Sequence, residues 1–207
     1  MTLSATEVGR LKLAPANEDI LPVMRSRWSP RAFSDRQVAK ADLRRIFEAA
    51  RWAPSSFNEQ PWRFLLGHRR SPTFEKISSA LVPVNQAWAT AAPILILGVT
   101  RQRFSHNNVP NPYALFDLGA ASGFITLEAA ALGIATHQMA GFDQGIARRN
   151  LGIPDDFDIG SVMAMGYQGE PSTLPNQKMI DQETAPRSRR ALGEIVLDAW
   201  GEPADLA

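Results

Sequence analysis

Apolar positions along this chain follow two different periods, and the changes between them mark its elements. Leu43, Ile46, Phe47 and Ala50 recur at i, i+3, i+4 and i+7, the stripe of a helix beginning near Asp42. Pro54 ends that helix, because its ring removes a backbone donor and disfavours helical geometry at Ala53. Trp62, Phe64 and Leu66 then alternate with Arg63 and Leu65, which predicts a strand. Residues 94–99 are apolar throughout, so a second strand should be buried on both faces. From Tyr113 to Leu132 the period predicts one long helix, closed by Gly133. Leu115, Leu118, Ala121, Ile125, Leu127, Ala129 and Leu132 carry apolar character around most of its circumference, so it belongs in a core or against a second subunit.

Shorter elements fill the intervals. The pattern predicts a short helical turn over 20–26, one or two helices over 71–92 broken near Pro83, and a strand and turn over 136–143. A helix over 144–151, a buried strand over 159–167 and a C-terminal helix over 191–200 follow. Residues 101–113, with Asn107, Asn108, Pro110, Asn111 and Pro112, read as a loop: either a solvent loop or a lid on which Phe104 and His106 touch a substrate. Residues 1–19 have no clear period and read as an arm, draped on the surface, flexible or packed on a partner; residues 20–207 form one domain.

Composition narrows the function classes. At 207 residues, 44% apolar and 21% charged, the chain is globular, and a net charge of +1 gives no general attraction to nucleic acid or membrane. With no cysteine, disulfides, thiolate metal sites, cysteine nucleophiles and iron–sulfur clusters are excluded together. No basic leader with an apolar run opens the chain and no apolar run reaches membrane length, so a soluble, cytoplasmic protein is expected. His68 and His106 lack the acidic spacing of a metal site, and His137 reads as a structural residue. Dinucleotide, P-loop, nucleophile-elbow and H-E-x-x-H motifs are absent, so difficult chemistry would fall to a cofactor.

Two stretches carry candidate chemistry. Arg51-Trp-Ala-Pro-Ser-Ser-Phe-Asn-Glu-Gln-Pro-Trp62 joins helix to strand through Ser55, Ser56, Asn58 and Gln60, uncharged groups that donate or accept, and suits the edge of a flat ligand. Arg25, Arg27, Arg31 and Arg36 form a basic cluster with Ser29 between Arg27 and Arg31; guanidinium groups bind phosphate bidentately and a hydroxyl adds a short bond. A solvated basic face is the competing reading of that cluster.

Residues 53–62 resemble the A-P-S-x-x-N-x-Q-P-W signature of the flavin-dependent nitroreductase family, and residues 27–33 are similar to its R-x-S-x-R-x-F phosphate motif. The resemblance covers about residues 20–200 and implies an α+β fold: a central, mainly antiparallel sheet flanked by helices, in a homodimer built on the long central helix. It implies that Arg27, Ser29 and Arg31 hold the phosphate and ribityl chain of FMN. Arg187 and Arg189 return to the same phosphate, and Trp28 stands where many members carry a second basic residue. Pro54, Ser55, Ser56 and Asn58 would contact the flavin of the other subunit. Asn85 would reach the pyrimidine edge, with Trp88 where some relatives place lysine, while Gln138, Met139, Ala140 and Gly141 run along the ring near N5. Phe124 would face the cleft as a substrate contact, or be core, and Gln168 replaces the usual proline after Gly166-Tyr167. No side chain is assigned as catalytic. The implied activity is ping-pong reduction of a nitroaromatic, quinone or enone with NAD(P)H as donor. A flavin-sequestering protein, or a same-fold enzyme of flavin fragmentation or dehalogenation, stands as the alternative.

Overall fold

A computed structural model describes residues 3–206. At the centre lies an antiparallel sheet of β1 (Trp62–His68), β2 (Ile94–Arg101), β3 (Ala135–Met139) and β4 (Phe157–Gly166), in the order β1-β2-β4-β3. Trp62 pairs with Thr100, Ile94 with Met165, and Met165 in turn with Thr136, so β2 and β4 occupy the middle and β1 and β3 the edges.

Both faces of β2 are covered, as its unbroken apolar run requires. Leu95 and Leu97 point to one side, where they join Phe74 and Ile77 of α4 (Pro72–Ser78) and Trp88 of α5 (Pro83–Ala89). Ile94 and Ile96 point to the other, against Ile46 and Ala50 of α3 (Lys40–Arg51) and Ile125 and Ala129 of α6 (Ala114–Ala131). Helix, sheet and helix make three layers, the α+β arrangement expected. Truncating a residue at the centre of such a layer, such as the fully buried Ile125, removes about 2–5 kcal/mol.

The predicted interior elements stand close to their bounds, and α7 (Gln144–Leu151) coincides with its prediction. Helix α6 is long and apolar enough to cross a membrane by length and composition alone, which corrects the expectation that no run reaches that length. Here α6 packs on α3 and the sheet. Its other face, with Leu115, Phe116 and Phe124, is exposed, and nothing lies within 4 Å of a methyl group built on Gly119 or Gly123.

The two ends of the chain differ from the sequence pattern. Residues 191–200 are not a helix: a single 3-10 turn at Leu192–Glu194 leads into β5 (Leu197–Ala199), which pairs with β6 (Glu202–Pro203) across Gly201 at φ 88°. Leu192, Ile195 and Val196 have helical spacing, but Leu192 and Ile195 are exposed, so no buried surface rewards the helix. Near the other end, α1 (Ala5–Leu11) is capped reciprocally: Ser4 Oγ accepts from the Glu7 N–H at 3.3 Å, and Glu7 accepts from the Ser4 N–H at 2.7 Å. Its Val8 is fully buried and α1 touches α8 (Gln177–Thr184).

Candidate functional site

A cleft of about 730 Å³ has walls that include Arg27, Arg187, Arg189 and Arg190, with Glu18 among them. The arginines reach it from distant parts of the chain. Arg27 leaves the end of α2 (Pro22–Ser26), and Arg187 and Arg189 lie just beyond α8. Arg27 Nη1 donates to Ser29 Oγ at 3.4 Å, and Arg187 Nη1 donates to the carbonyls of Lys12 at 2.8 Å and Arg25 at 3.3 Å. Burial, and then Arg189, hold the Arg27 pKa down; burial, Arg27 and Arg189 do the same to Arg187. Four arginines against the single carboxylate of Glu18 on the cleft wall favour an anion between them. Arg31 and Trp28 are half-buried on the same loop and Ser29 is exposed, and Trp28 lines a second, 300 Å³ hollow with Arg27, Ala135 and Thr136 at the start of β3.

The far end of β3 holds the next predicted group. Asn85 Nδ2 donates to the Gly141 carbonyl at 3.0 Å, and a Cβ at Gly141 would stand 2.5 Å from that same nitrogen, so only glycine lets α5 and this turn close. Met139 is buried, Ala140 and Gln138 are exposed, and Gln138 Oε1 accepts from Ser161 Oγ at 3.1 Å. Four steps of strand separate Ala135 from Met139, about 13 Å. Arg27, which shares the smaller hollow with Ala135, and the Asn85–Gly141 turn thus stand near opposite ends of β3, a length suited to an elongated ligand with an anionic end. Trp88, by contrast, is core: 2% exposed, stacked on Phe33 at 6.4 Å and tilted against His137 at 4.6 Å, with an indole N–H that finds no acceptor among the described residues.

The signature turn sits elsewhere. It precedes β1, at the opposite sheet edge from β3, so three strand spacings, about 14 Å, intervene. Phe57, Asn58 and Gln60 all have positive φ, at 53°, 54° and 49°, a left-handed geometry that costs roughly 1–2 kcal/mol per residue. Polar contacts hold them there. Ser55 Oγ accepts from the Gln60 N–H at 3.0 Å, Asn58 Oδ1 from Gln60 Nε2 at 3.1 Å, and Asp117 Oδ2 from the Ser56 N–H at 3.1 Å. Glu59 accepts from the Ser105 N–H at 2.8 Å and Oγ at 3.1 Å, which ties the turn to the 101–113 loop. Phe104 is buried there with its ring 5.6 Å from Phe57, edge to face, and Phe57 itself is 82% exposed. Phe104 and Phe124 are not on the walls of the arginine cleft.

Sequence reasoning missed three buried polar residues around these groups. Asp117, 3% exposed on α6, has its pKa raised by burial and lowered less by the Ser56 N–H. An aspartate inside an otherwise apolar helix was the available signal. Glu183 and Lys12, 1% and 5% exposed, lie in segments whose composition reads as surface, and nothing local marks them. His137 does take a structural position: Nδ1 bonds the Pro30 carbonyl at 2.9 Å and burial lowers its pKa. Among the described residues, no group of three or more His, Cys, Asp or Glu side chains is arranged to hold a metal ion.

Known proteins share both sequence and architecture with this chain. An Archaeoglobus fulgidus protein with the provisional name NADH dehydrogenase/NAD(P)H nitroreductase is 31% identical over 156 residues, 72% of this chain and 86% of its own. The NADH dehydrogenase of Thermus thermophilus is 26% identical over 189 residues, covering 74% and 91%. A crystal structure of an oxidoreductase containing FMN matches with a TM-score of 0.84 at 31% identity, over 90% of this chain and 95% of that one. A nitroreductase family protein from Clostridium difficile matches with a TM-score of 0.67 at 25% identity, over 87% and 98%. The family model described as Nitroreductase family matches residues 24–167, more than half of the sequence, and the chain belongs to that family of oxidoreductases.

Proposed function

We propose that this protein is a homodimeric, cytoplasmic FMN-dependent oxidoreductase that takes hydride from NAD(P)H and reduces a small electrophile such as a nitroaromatic, quinone or enone. The observation that carries this is the convergence of Arg27, Arg187 and Arg189 on one cleft, with Arg27 also lining a hollow at the start of β3 and the Asn85–Gly141 turn just beyond its end. The residues fit FMN: a cluster of guanidinium groups that outnumbers the one carboxylate on the cleft wall meets a phosphate dianion, and a side-chain-free Gly141 admits a flat ring. Bound there, FMN supplies the two-electron chemistry that no side chain here performs.

The chain's part is binding and positioning. Arg27, Ser29, Arg31 and Arg189 anchor phosphate and ribityl oxygens, while Arg187, with Nη1 already on two carbonyls, offers its remaining N–H groups. Backbone groups of 138–141 line the N5 edge, and Asn85 keeps its Oδ1 free to accept from a pyrimidine N–H. The signature turn at the other sheet edge serves the partner subunit's flavin. Supporting this, α6 leaves Leu115, Phe116 and Phe124 uncovered beside Trp52, 71% exposed, an apolar face that a second copy would bury.

Absorption spectra of the purified protein, before and after anaerobic NADH or NADPH, test the proposal. Flavin bands that bleach support it and rank the donors; bands that persist with both donors favour flavin sequestration. A colourless protein that takes up no added FMN overturns it.

A further inference from the structure

The loop bearing Arg27, Ser29 and Arg31 owes its shape to groups far away in sequence. From α8 the Glu183 carboxylate accepts the Arg31 N–H at 3.0 Å on each oxygen and the Ala32 N–H at 3.1 Å. Lys12 donates through Nζ to the carbonyls of Gln182 at 3.2 Å and Ala185 at 2.6 Å, on either side of Glu183, and lies 4.8 Å from the centre of the Trp28 ring. The Lys12 carbonyl in turn accepts from Arg187. Removing two opposite charges from water is costly, and apolar residues would fill this space at least as favourably. What the pair provides is geometry: a fixed backbone at 31–32, and a tether from the N-terminal segment to Arg187.

We propose that Glu183 and Lys12 are positioning residues of the arginine cleft, setting its fit to a phosphate monoester dianion, and that residues 4–14 are therefore part of the binding site. This rests on the reading of the cleft as the holder of the FMN phosphate. Neither residue is assigned a contact with the ligand; each acts through the arginines and the loop.

The test compares two ligands that share a ring and differ in the phosphate. Apoprotein is titrated with FMN and with riboflavin, following fluorescence quenching, and the ratio of their Kd values reports the phosphate contribution alone. Two variants keep net charge constant, so long-range attraction does not change. Glu183→Asp withdraws the carboxylate by one methylene, and Glu183→Gln with Lys12→Met removes both charges and retains bulk. In each, the preference for FMN over riboflavin should fall about tenfold or more while riboflavin affinity stays within about twofold, as expected when sheltered charge-assisted bonds are misaligned. A preserved ratio in either folded variant, or an equal loss for both ligands, overturns the inference and leaves a purely structural pair. Arg27→Ala is the control. If it lowers the ratio and the other variants do not, the positioning role alone is wrong. If it leaves the ratio intact, the phosphate reading fails and this inference with it.

Discussion

The arginine cleft and the signature turn, each drawn from a family motif, are built in opposite ways. The cleft is assembled within one chain from Arg27, Arg187 and Arg189, with buried Lys12 and Glu183 and half-buried His137 bracing its loops. The turn is strained at three of four successive positions, Phe57, Asn58 and Gln60, and presents Phe57 to solvent. The two lie at opposite sheet edges, one braced by buried polar groups and the other holding a left-handed backbone through its own polar contacts. In the proposed dimer, each subunit would carry one nearly finished half and one half that serves its partner.

Removing the cleft's charge should have the largest effect. Arg27→Ala with Arg189→Ala deletes two charge-assisted contacts of roughly 1.5–3 kcal/mol each, so FMN affinity should fall by about a hundredfold or more while the fold persists. Co-elution of stoichiometric FMN on gel filtration would sink the phosphate assignment. The turn is probed next, without touching the cleft. Phe116→Arg places a cation on the exposed face of α6 and should dissociate the proposed dimer at micromolar concentration by sedimentation velocity, weakening FMN binding by about tenfold or more. A variant that stays dimeric with unchanged affinity would place the interface elsewhere.

A smaller effect separates the turn's brace from its charge. Asp117→Ala orphans the Ser56 N–H and should cost about 1–3 kcal/mol in urea unfolding, whereas Asp117→Asn keeps an acceptor and should cost less. Because burial raises the Asp117 pKa, its contribution is fully present below the unfolded carboxylate range and is lost as pH rises through the raised value. Asp117→Asn should therefore gain on wild type as pH rises, and parallel pH profiles would refute that sign. The smallest effect concerns the cleft's brace. His137 is half-buried and its pKa lowered, by burial first, so stability should fall as pH drops below the unfolded value of about 6.5. His137→Gln should flatten that acid limb of the melting curve, and an unchanged limb would assign it to other groups.

These differences also show what sequence can carry. Residues whose neighbours in sequence explain them were legible: the stripe of α3, the all-apolar β2, the bounds of α7. Both motifs were legible as motifs, though not their separation across the sheet, which depends on strand order. The C-terminal helix failed because helical spacing without a surface to bury is not enough, as exposed Ile195 shows. Helix α8 was overlooked because its deepest side chain is a glutamate, the reverse of what amphipathic patterning seeks. Its value lies in two N–H groups 151–152 positions away.

The placement of turn and cleft at opposite sheet edges has a consequence for how the active species accumulates. A lone subunit of the proposed dimer would carry two incomplete flavin sites, and pairing would complete both at once. Cofactor occupancy would then depend on the amount of the chain as well as on the supply of FMN. In dilute samples the yellow fraction should decline faster than a single-chain binding constant allows, and at low expression a cell would hold mostly colourless chains awaiting a partner.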